Sequence, residues 1–298
     1  MYEKVKRHVE NSMQCFVTRS NSGGFVRDDE MEAIERKQKS LTTRKAQIVK
    51  NIVDGNIIKQ HTFQDRSFFD YVVSVQHVIK QKEQLYMEEQ LQNRRIVLED
   101  EEIIDDYLVN REGGGTYDPL DIKQLFQGET RSSPDYVYDR VEVVRYAERW
   151  WDSFNPEYKQ FENDCTNYIS QCIFAGGVPM SGQPNRSSGW WYQNNQWSYS
   201  WTVAHALRWY LSGSNNGLQA VEVSSPHELM RGDIICYDFN GDDNWQHTTV
   251  VTGKDVEGEP LVNAHTTNSR MRFWSYEDST AWTPNIKYKF FSIIDRNS

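Results

Sequence analysis

The chain has 298 residues, enough for one large domain or two ordinary ones, and its composition is that of a globular protein. The net charge of −10 argues against a nucleic-acid partner, because affinity for a phosphate backbone depends on basic surface. No segment approaches the roughly 20 apolar residues of a membrane-spanning helix, so no membrane span is expected. Basic residues near the start are not followed by an apolar run, so no secretion signal is predicted and a cytoplasmic location is favoured.

The two halves of the chain differ in composition. All ten tryptophans lie after residue 149. Between the halves, residues 113–116 (GGGT) and 128–134 (GETRSSP) are rich in turn and linker residues. This pattern predicts an N-terminal accessory domain at residues 1–112, a linker at residues 113–135 and a second domain at residues 136–298.

The first part predicts a smaller α+β domain. Residues 28–39 have the charge pattern of an exposed helix, and residues 46–53 and 56–63 flank Asp54-Gly55, a dipeptide typical of a two-residue hairpin turn. Residues 71–79 and 84–98 then alternate apolar with polar side chains, as strands of a half-solvated antiparallel sheet do. We expect a curved sheet wrapped on a helix, of the cystatin-like or nuclear-transport-factor-like kind. The isolated His61 and His77 are expected to be surface or packing residues.

The second part contains a helix with a cysteine in its first turn. Asn163 or Asp164 is suited to be the N-cap. Apolar residues then recur at intervals of three and four residues, and Gly176-Gly177 ends this helical pattern. Cys165 therefore lies where unpaired N–H groups and the helix dipole favour a thiolate. This position predicts a nucleophile, whereas Cys172, two turns later on the apolar stripe, is predicted to belong to the core.

Three antiparallel strands are predicted after this helix, at residues 233–239, 247–253 and 260–266. His247 begins the second strand, where a rigid backbone can present an imidazole to the helix N-terminus as a general acid and base. Asn263 and His265 share one face of the third strand, because side chains alternate with a period of two. Either one is a candidate to orient His247 as the third member of a triad.

Metal chemistry is not expected in the second part, and no cofactor is predicted. The acidic loop at residues 238–243 fits a calcium loop poorly, since Asp243 stands where such a loop needs glycine. The histidines show no H-E-x-x-H pairing, and the four cysteines lack the spacing of a zinc site or a disulfide framework, so free thiols are predicted.

Aromatic residues are crowded between the cysteine helix and the strands. They have two possible roles: some can line a groove and stack on sugar rings or hold a peptide, while most pack a small core. The groove candidates are Trp190, Trp191 and Trp201.

Seven segments of residues 138–294 carry a resemblance to a known family. They are NDCTNYISQC (163–172), GG (176–177), WW (190–191), SWT (200–202), GDI (232–234), HTTVVTG (247–253) and NAHT (263–266). They resemble the putative amidase domain of spore-forming Gram-positive bacteria, which is related to the NlpC-type and CHAP cell-wall hydrolases. The resemblance implies an α+β, papain-like domain in which the thiol helix packs on an antiparallel sheet.

Carried over to this chain, the resemblance implies Cys165 as nucleophile, His247 as general acid and base, and Asn263 as orienting residue, with His265 as the rival for the last role. The oxyanion donors are expected to include the Cys165 backbone N–H, with Asn163 as a candidate second donor. The expected function is a cysteine amidase or peptidase acting on peptidoglycan or a wall-derived peptide. A glycan- or peptide-binding module and an acyltransferase are the alternatives, and a wall or spore association is the alternative location. The sequence leaves the oligomeric state open.

Overall fold

The structure is a computed structural model that describes residues 2–18, 25–109 and 134–297. The predicted linker at residues 113–135 therefore lies, except for its last two residues, outside the described residues. The chain forms α1 (Tyr2–Thr18), α2 (Asp28–Thr43), β1 (Ala46–Phe63), β2 (Arg66–Gln81), β3 (Gln84–Glu99), β4 (Glu102–Leu108), α3 (Arg140–Trp150), α4 (Cys165–Ala175), β5 (Tyr192–Gln193), β6 (Gln196–Trp197), α5 (Tyr199–Thr202), α6 (Ala204–Gly213), β7 (Ala220–Val223), β8 (Ile234–Asp238), β9 (His247–Lys254), β10 (Pro260–Ala264), β11 (Asn268–Phe273) and β12 (Lys287–Ile293).

The α+β class predicted from the sequence is confirmed. The chain divides into two compact units, one within Met1–Arg111 and Thr267–Trp282, the other within Glu112–Thr266 and Thr283–Ser298. We refer to them as unit 1 and unit 2. Unit 1 thus takes a segment from the tryptophan-rich half of the chain, and this segment carries β11.

Unit 1 is a long antiparallel sheet with helices packed against it. β2 pairs with β1 and β3, and β3 also pairs with β4 and β11. Val5 and Val9 of α1 join Tyr71, Val73 and other sheet residues in a buried cluster. The alternating burial of β2 confirms the strand predicted there from its period of two.

The hairpin predicted at Asp54-Gly55 is wrong. β1 runs through both residues as one strand of 18 residues, with Asp54 opposite Ser74 and Gly55 opposite Val73. A Cβ on Gly55 would stand 3.3 Å from the Val72 carbonyl oxygen, so glycine suits a close approach between two strands rather than a turn. Pairing with the equally long, uninterrupted β2 decides the conformation over the local preference of the dipeptide.

The segment from the second half is tied to unit 1 by buried charges. Lys37 of α2 forms ion pairs with Glu88 of β3 and with Asp278, the latter at 2.8 Å. Arg272 of β11 also binds Asp278, at 2.9 Å. Because breaking a buried ion pair leaves an uncompensated charge, this cluster fixes where the segment 267–282 packs.

Unit 2 is built on an antiparallel sheet with the strand order β10-β9-β8-β12-β7. α4 packs against this sheet: Ile169, Cys172 and Ile173 share a buried core with Cys236 of β8 and Val250 of β9. The helix and the three strands predicted for this part are confirmed, as is the core position of Cys172.

Glycine is required where α4 ends. Gly176 is the C-cap of the helix, and a Cβ there would lie 2.5 Å from Val143 Cγ2 of α3. The following Gly177 has a φ of +91°, which side chains rarely adopt. The two glycines therefore end α4 and let α3 pack closely against it.

Candidate active site

Cys165 is the first residue of α4 and is nearly buried, with 5% of its surface exposed. The first backbone N–H groups of a helix have no partner within the helix, so the thiol lies beside a partially positive end. The neighbouring Thr166 hydroxyl is 3.7 Å from Sγ and also contacts the Thr248 hydroxyl of β9 at 3.2 Å. These contacts hold the start of α4 against the start of β9.

His247 is the first residue of β9, and its imidazole lies close enough to the Cys165 thiol to lower the pKa of that thiol. The antiparallel register places His247 opposite Tyr237 of β8. Its ring packs against Tyr237 and Phe239, with centroid distances of 5.5 and 6.1 Å. The fold therefore brings together the two residues that were predicted from the sequence to act as a pair, although they are 82 positions apart in the chain.

The pKa values of the cysteines separate Cys165 from the other two described thiols. Burial would raise the pKa of Cys165, but the electrostatic effect of His247, with contacts from Thr166 and the Thr248 N–H, lowers it below the ordinary value. Burial raises the pKa of Cys172 and of Cys236 instead. Cys165 is the thiol among these three whose surroundings favour the thiolate.

Asn263 lies on β10, where the register pairs it with Val250. Its side-chain oxygen accepts a hydrogen bond from the Thr252 hydroxyl at 2.8 Å, and its amide nitrogen donates to Glu148 of α3 at 2.9 Å. These contacts fix the amide between the sheet and α3. The role of Asn263 as the orienting residue of a triad stays a prediction.

His265, the rival third residue, contacts the start of α4. Its Nδ1 is 2.9 Å from Asp164 Oδ2, and its Nε2 is 2.7 Å from the Trp150 carbonyl oxygen. The ring stacks on Tyr168 with a centroid distance of 4.0 Å. The bond between His265 and Asp164 could not be predicted from the sequence, because the two residues are 101 positions apart.

The N-cap position of α4 is occupied by Asp164, whose side chain makes no capping bond to the helix backbone. Instead its Oδ1 accepts hydrogen bonds from the Phe161 backbone N–H and the Asn167 side chain, both at 3.0 Å. Asn163, the candidate oxyanion donor, is half-buried two residues before Cys165. Its assignment as an oxyanion donor stays a prediction.

The groove candidates Trp190, Trp191 and Trp201 are packed inside unit 2, and no more than 1% of each is exposed. The indole N–H of Trp190 donates to Ser170, and that of Trp201 donates to Asn167, each at 3.0 Å. Rings without exposed surface do not stack on a ligand, so these three act as core residues in this conformation. Ser170 and Asn167 of α4 thus serve as hydrogen-bond partners of Trp190 and Trp201, a role that was not predicted from the sequence.

No group of three or more His, Cys, Asp or Glu is arranged to hold a metal ion among residues 2–18, 25–109 and 134–297. In the acidic loop after β8, the Asp238 carboxylate accepts hydrogen bonds from the backbone N–H groups of Gly241 and Asp243, at 2.8 and 2.7 Å. That carboxylate therefore stabilises the loop itself. Within the described part of the chain, no helix is both long and apolar enough to cross a membrane.

The fold and the site together define an α+β protein in which a cysteine at the start of a helix and a histidine at the start of a strand interact electrostatically. Residues 137–291 match the model of a family described as a putative amidase domain, and the chain belongs to this family. Membership of this family indicates the general reaction class, hydrolysis of amide bonds.

Two relatives from Bacillus subtilis (strain 168) are similar to the chain. The uncharacterized protein YhbB is 45% identical over 271 residues, covering 89% of this chain and 87% of the relative. The uncharacterized protein YjcM is 28% identical over 140 residues, covering 44% of this chain and 31% of the relative. No solved structure matches the chain.

Proposed function

We propose that this protein is a cysteine amidase in which Cys165 is the nucleophile and His247 the general acid and base. The observation that carries the proposal is the effect of His247, at the start of β9, on Cys165, at the start of α4: although the thiol is buried, the imidazole lowers its pKa. A nucleophilic thiol needs both a stabilised thiolate and a proton carrier within hydrogen-bonding distance. Membership of the amidase family supports the same reaction class.

In the proposed reaction, His247 takes the proton of Cys165, and the thiolate attacks the amide carbonyl carbon to form a tetrahedral oxyanion. The Cys165 backbone N–H stabilises the oxyanion, with Asn163 as the candidate second donor. Protonated His247 gives its proton to the amine as the C–N bond breaks, leaving a thioester on Cys165. A water molecule that loses a proton to His247 then hydrolyses the thioester, releases the acid and restores the thiol.

Asn263 is proposed to orient His247, directly or through the residues that it contacts. Packing of α4 on the antiparallel sheet supports a papain-like arrangement of the NlpC or CHAP type, with the thiol on the helix and the imidazole on a strand. Within that arrangement the third residue stands on the strand after the histidine strand, as Asn263 does.

We propose a peptide or glycan-peptide of the cell wall as the substrate. The surface near Cys165 supports this class: the half-buried Trp197 packs edge-on against Phe161, with centroids 4.9 Å apart. Phe161 in turn bonds through its N–H to Asp164, next to the nucleophile. Lys159 and Arg186 lie 5.1 and 5.4 Å from the Trp197 ring. An aromatic ring with cations beside it suits sugar rings and peptide carboxylates.

The test is release of new amine groups from purified peptidoglycan by the wild type, Cys165→Ala and His247→Gln, with His227→Gln as the matched control. His227 is exposed and pairs with Glu259 at the surface, so its loss leaves the proposed site intact. We expect no release by Cys165→Ala, a loss of about 10²–10⁴-fold in His247→Gln and no change in His227→Gln. Release by Cys165→Ala at the wild-type rate would disprove the cysteine mechanism.

Product analysis in H₂¹⁸O distinguishes hydrolysis from transfer. Hydrolysis of the thioester places one ¹⁸O atom in the new carboxylate, whereas acyl transfer to an amine forms a new amide without ¹⁸O. We expect the labelled carboxylate. Binding of wall fragments without release of amine or acid would favour a binding module instead.

A further inference from the structure

The His265 ring bridges two helix ends beside Cys165. Trp150 is the last residue of α3, so its carbonyl belongs to the helix end with partial negative charge. Asp164 is the N-cap of α4 and directly precedes Cys165. His265 is 2% exposed and reaches the Trp150 oxygen through Nε2 and the Asp164 carboxylate through Nδ1.

Both ring nitrogens of His265 therefore face groups that accept hydrogen bonds. A carbonyl oxygen accepts only, so Nε2 must carry a proton. Asp164 accepts two further hydrogen bonds, from Phe161 and Asn167, so it acts here as an acceptor, which is the role of an ionised carboxylate. An ionised carboxylate also only accepts, so Nδ1 must carry a proton as well.

Two other features favour a positive charge on this ring. The Tyr168 ring stacks on it with centroids 4.0 Å apart and an interplanar angle of 13°. An aromatic face stabilises a cation above it, and the C-terminal end of α3 does so through its dipole. The titratable groups that contact the ring are Asp164, the N-cap of α4, and Tyr168 on α4. Glu148 is bound to Asn263, which lies two residues before His265.

We infer that His265 is a doubly protonated positioning residue, an imidazolium ion paired with the Asp164 carboxylate at the start of the thiol helix. Its consequence for the reaction rests on the proposed function of Cys165. An unpaired carboxylate beside Cys165 would oppose formation of the thiolate, and the imidazolium cancels that charge. The two histidines thus have separate roles: His247 exchanges protons with the substrate, and His265 keeps its two protons.

The direct test is the ¹⁵N spectrum of the histidine rings in the full-length protein at pH 7.5, with the His265 signals assigned by their loss in His265→Gln. We expect both nitrogens of His265 to show the chemical shifts of protonated imidazolium nitrogens. A neutral pattern, with one protonated and one bare nitrogen, would overturn the inference. This result does not depend on the enzymatic activity.

The second test measures the alkylation rate of Cys165 in His265→Gln, Asp164→Asn and the double variant. Removing the imidazolium alone should slow alkylation at pH 7 about tenfold, because one pKa unit changes the thiolate fraction tenfold. Removing both charges should restore the rate to within about threefold of the wild type, a rescue that a purely structural role would not produce. A double variant as slow as His265→Gln would contradict the charge-cancelling role.

The two proposals fail in different ways. If Cys165→Ala still releases amine while the His265 spectrum shows an imidazolium, the proposed function fails and the protonation state stands. If amine release depends on Cys165 while the His265 ring is neutral, the enzyme stands and the inference fails.

Discussion

At the scale of single residues, the surroundings of the thiols distinguish a reactive group from a structural one. Cys165 and Cys172 are on the same helix and are both buried, yet the pKa of the first is lowered and that of the second is raised. The difference comes from His247 and from the helix start, which only Cys165 contacts among these two. Burial alone would make both thiols inert.

Asn263 offers a test of the third residue. We expect Asn263→Ala to lower kcat at least about tenfold with little change in KM, because the orienting residue acts on His247 and not on substrate binding. Thr252→Val is the control, since it removes the donor to the Asn263 oxygen but keeps the amide itself. An unchanged kcat in Asn263→Ala, together with a lower melting temperature, would limit Asn263 to a structural role.

The residue-scale prediction from sequence was accurate where chemistry depends on position along one element. Cys165 could be placed at a helix N-terminus because the apolar spacing and Gly176-Gly177 bound the helix on both sides. The partners of Asn263 and His265 could not be predicted, since Glu148 and Asp164 lie more than a hundred positions away and only tertiary packing brings them close.

At the scale of elements, side-chain periodicity predicted the strands better than the turn propensity of a single dipeptide did. The alternating side chains of β2 gave a correct strand because they match the burial of one sheet face. The turn predicted at Asp54-Gly55 was wrong, because the turn propensity of this dipeptide is weak compared with strand pairing along the whole of β1 and β2. The crowding of the tryptophans correctly indicated an aromatic cluster, but it could not show which of the rings would be buried.

The β2 strand carries a buried histidine whose titration should appear in the stability of unit 1. Burial and the charge of Lys37 lower the pKa of His77 to about 3, so the folded state keeps it neutral. The unfolded chain takes up this proton near pH 6.5, and the free energy of unfolding therefore falls as pH decreases below that value. As the pH falls from 6.5 to 5, we expect the slope from this group to rise from about 0.7 to about 1.4 kcal/mol per pH unit.

Amide hydrogen exchange of β2 as a function of pH measures this slope. His77→Gln should flatten it between pH 6.5 and 5, above the range in which most carboxylates titrate. The matched control is His61→Gln, on β1, where His61 is half-buried and stacks on Phe68. The account of His77 fails if the slope persists in His77→Gln or disappears in His61→Gln.

At the scale of the whole molecule, the order of the chain and the compact units do not coincide. Residues 267–282 lie beyond the candidate site residues in sequence, yet β11 pairs with β3 and Asp278 binds Lys37. Composition places this segment with the tryptophan-rich half. No local pattern could have assigned it to unit 1, because the assignment depends on strand pairing and on buried charges contributed by the first half.

This arrangement predicts the behaviour of a shortened chain. In a chain that begins at residue 134, β11 loses strand β3, with which it pairs, and Asp278 loses Lys37. We expect hydrogen exchange in β11 to be faster than in the full-length chain, while β8 and β9 keep their protection. Equal protection of β11 in the short and full-length chains would contradict the division into units.

A full-length variant tests the same point without truncation. Lys37→Met leaves Glu88 and Asp278 as buried charges without their shared cation, which should destabilise unit 1 by about 3–5 kcal/mol. Loss of exchange protection should be greatest in residues 267–282 and in the strands that contact α2. Arg66→Met is the control, because its ion pair with Glu99 is exposed and contributes little.

The central claim is that His247 activates Cys165, and the most direct test is the pH profile of Cys165 alkylation, followed by peptide mapping, in the wild type, His247→Gln and His227→Gln. We predict that wild-type Cys165 reacts at lower pH than a free model thiol and that Cys172 and Cys236 do not react in this range. His247→Gln should move the Cys165 profile to higher pH, because burial then acts on the thiol without the compensating imidazole. His227→Gln should leave it unchanged. A Cys165 that reacts no faster than a model thiol, or a profile unaffected by His247→Gln, would contradict the account.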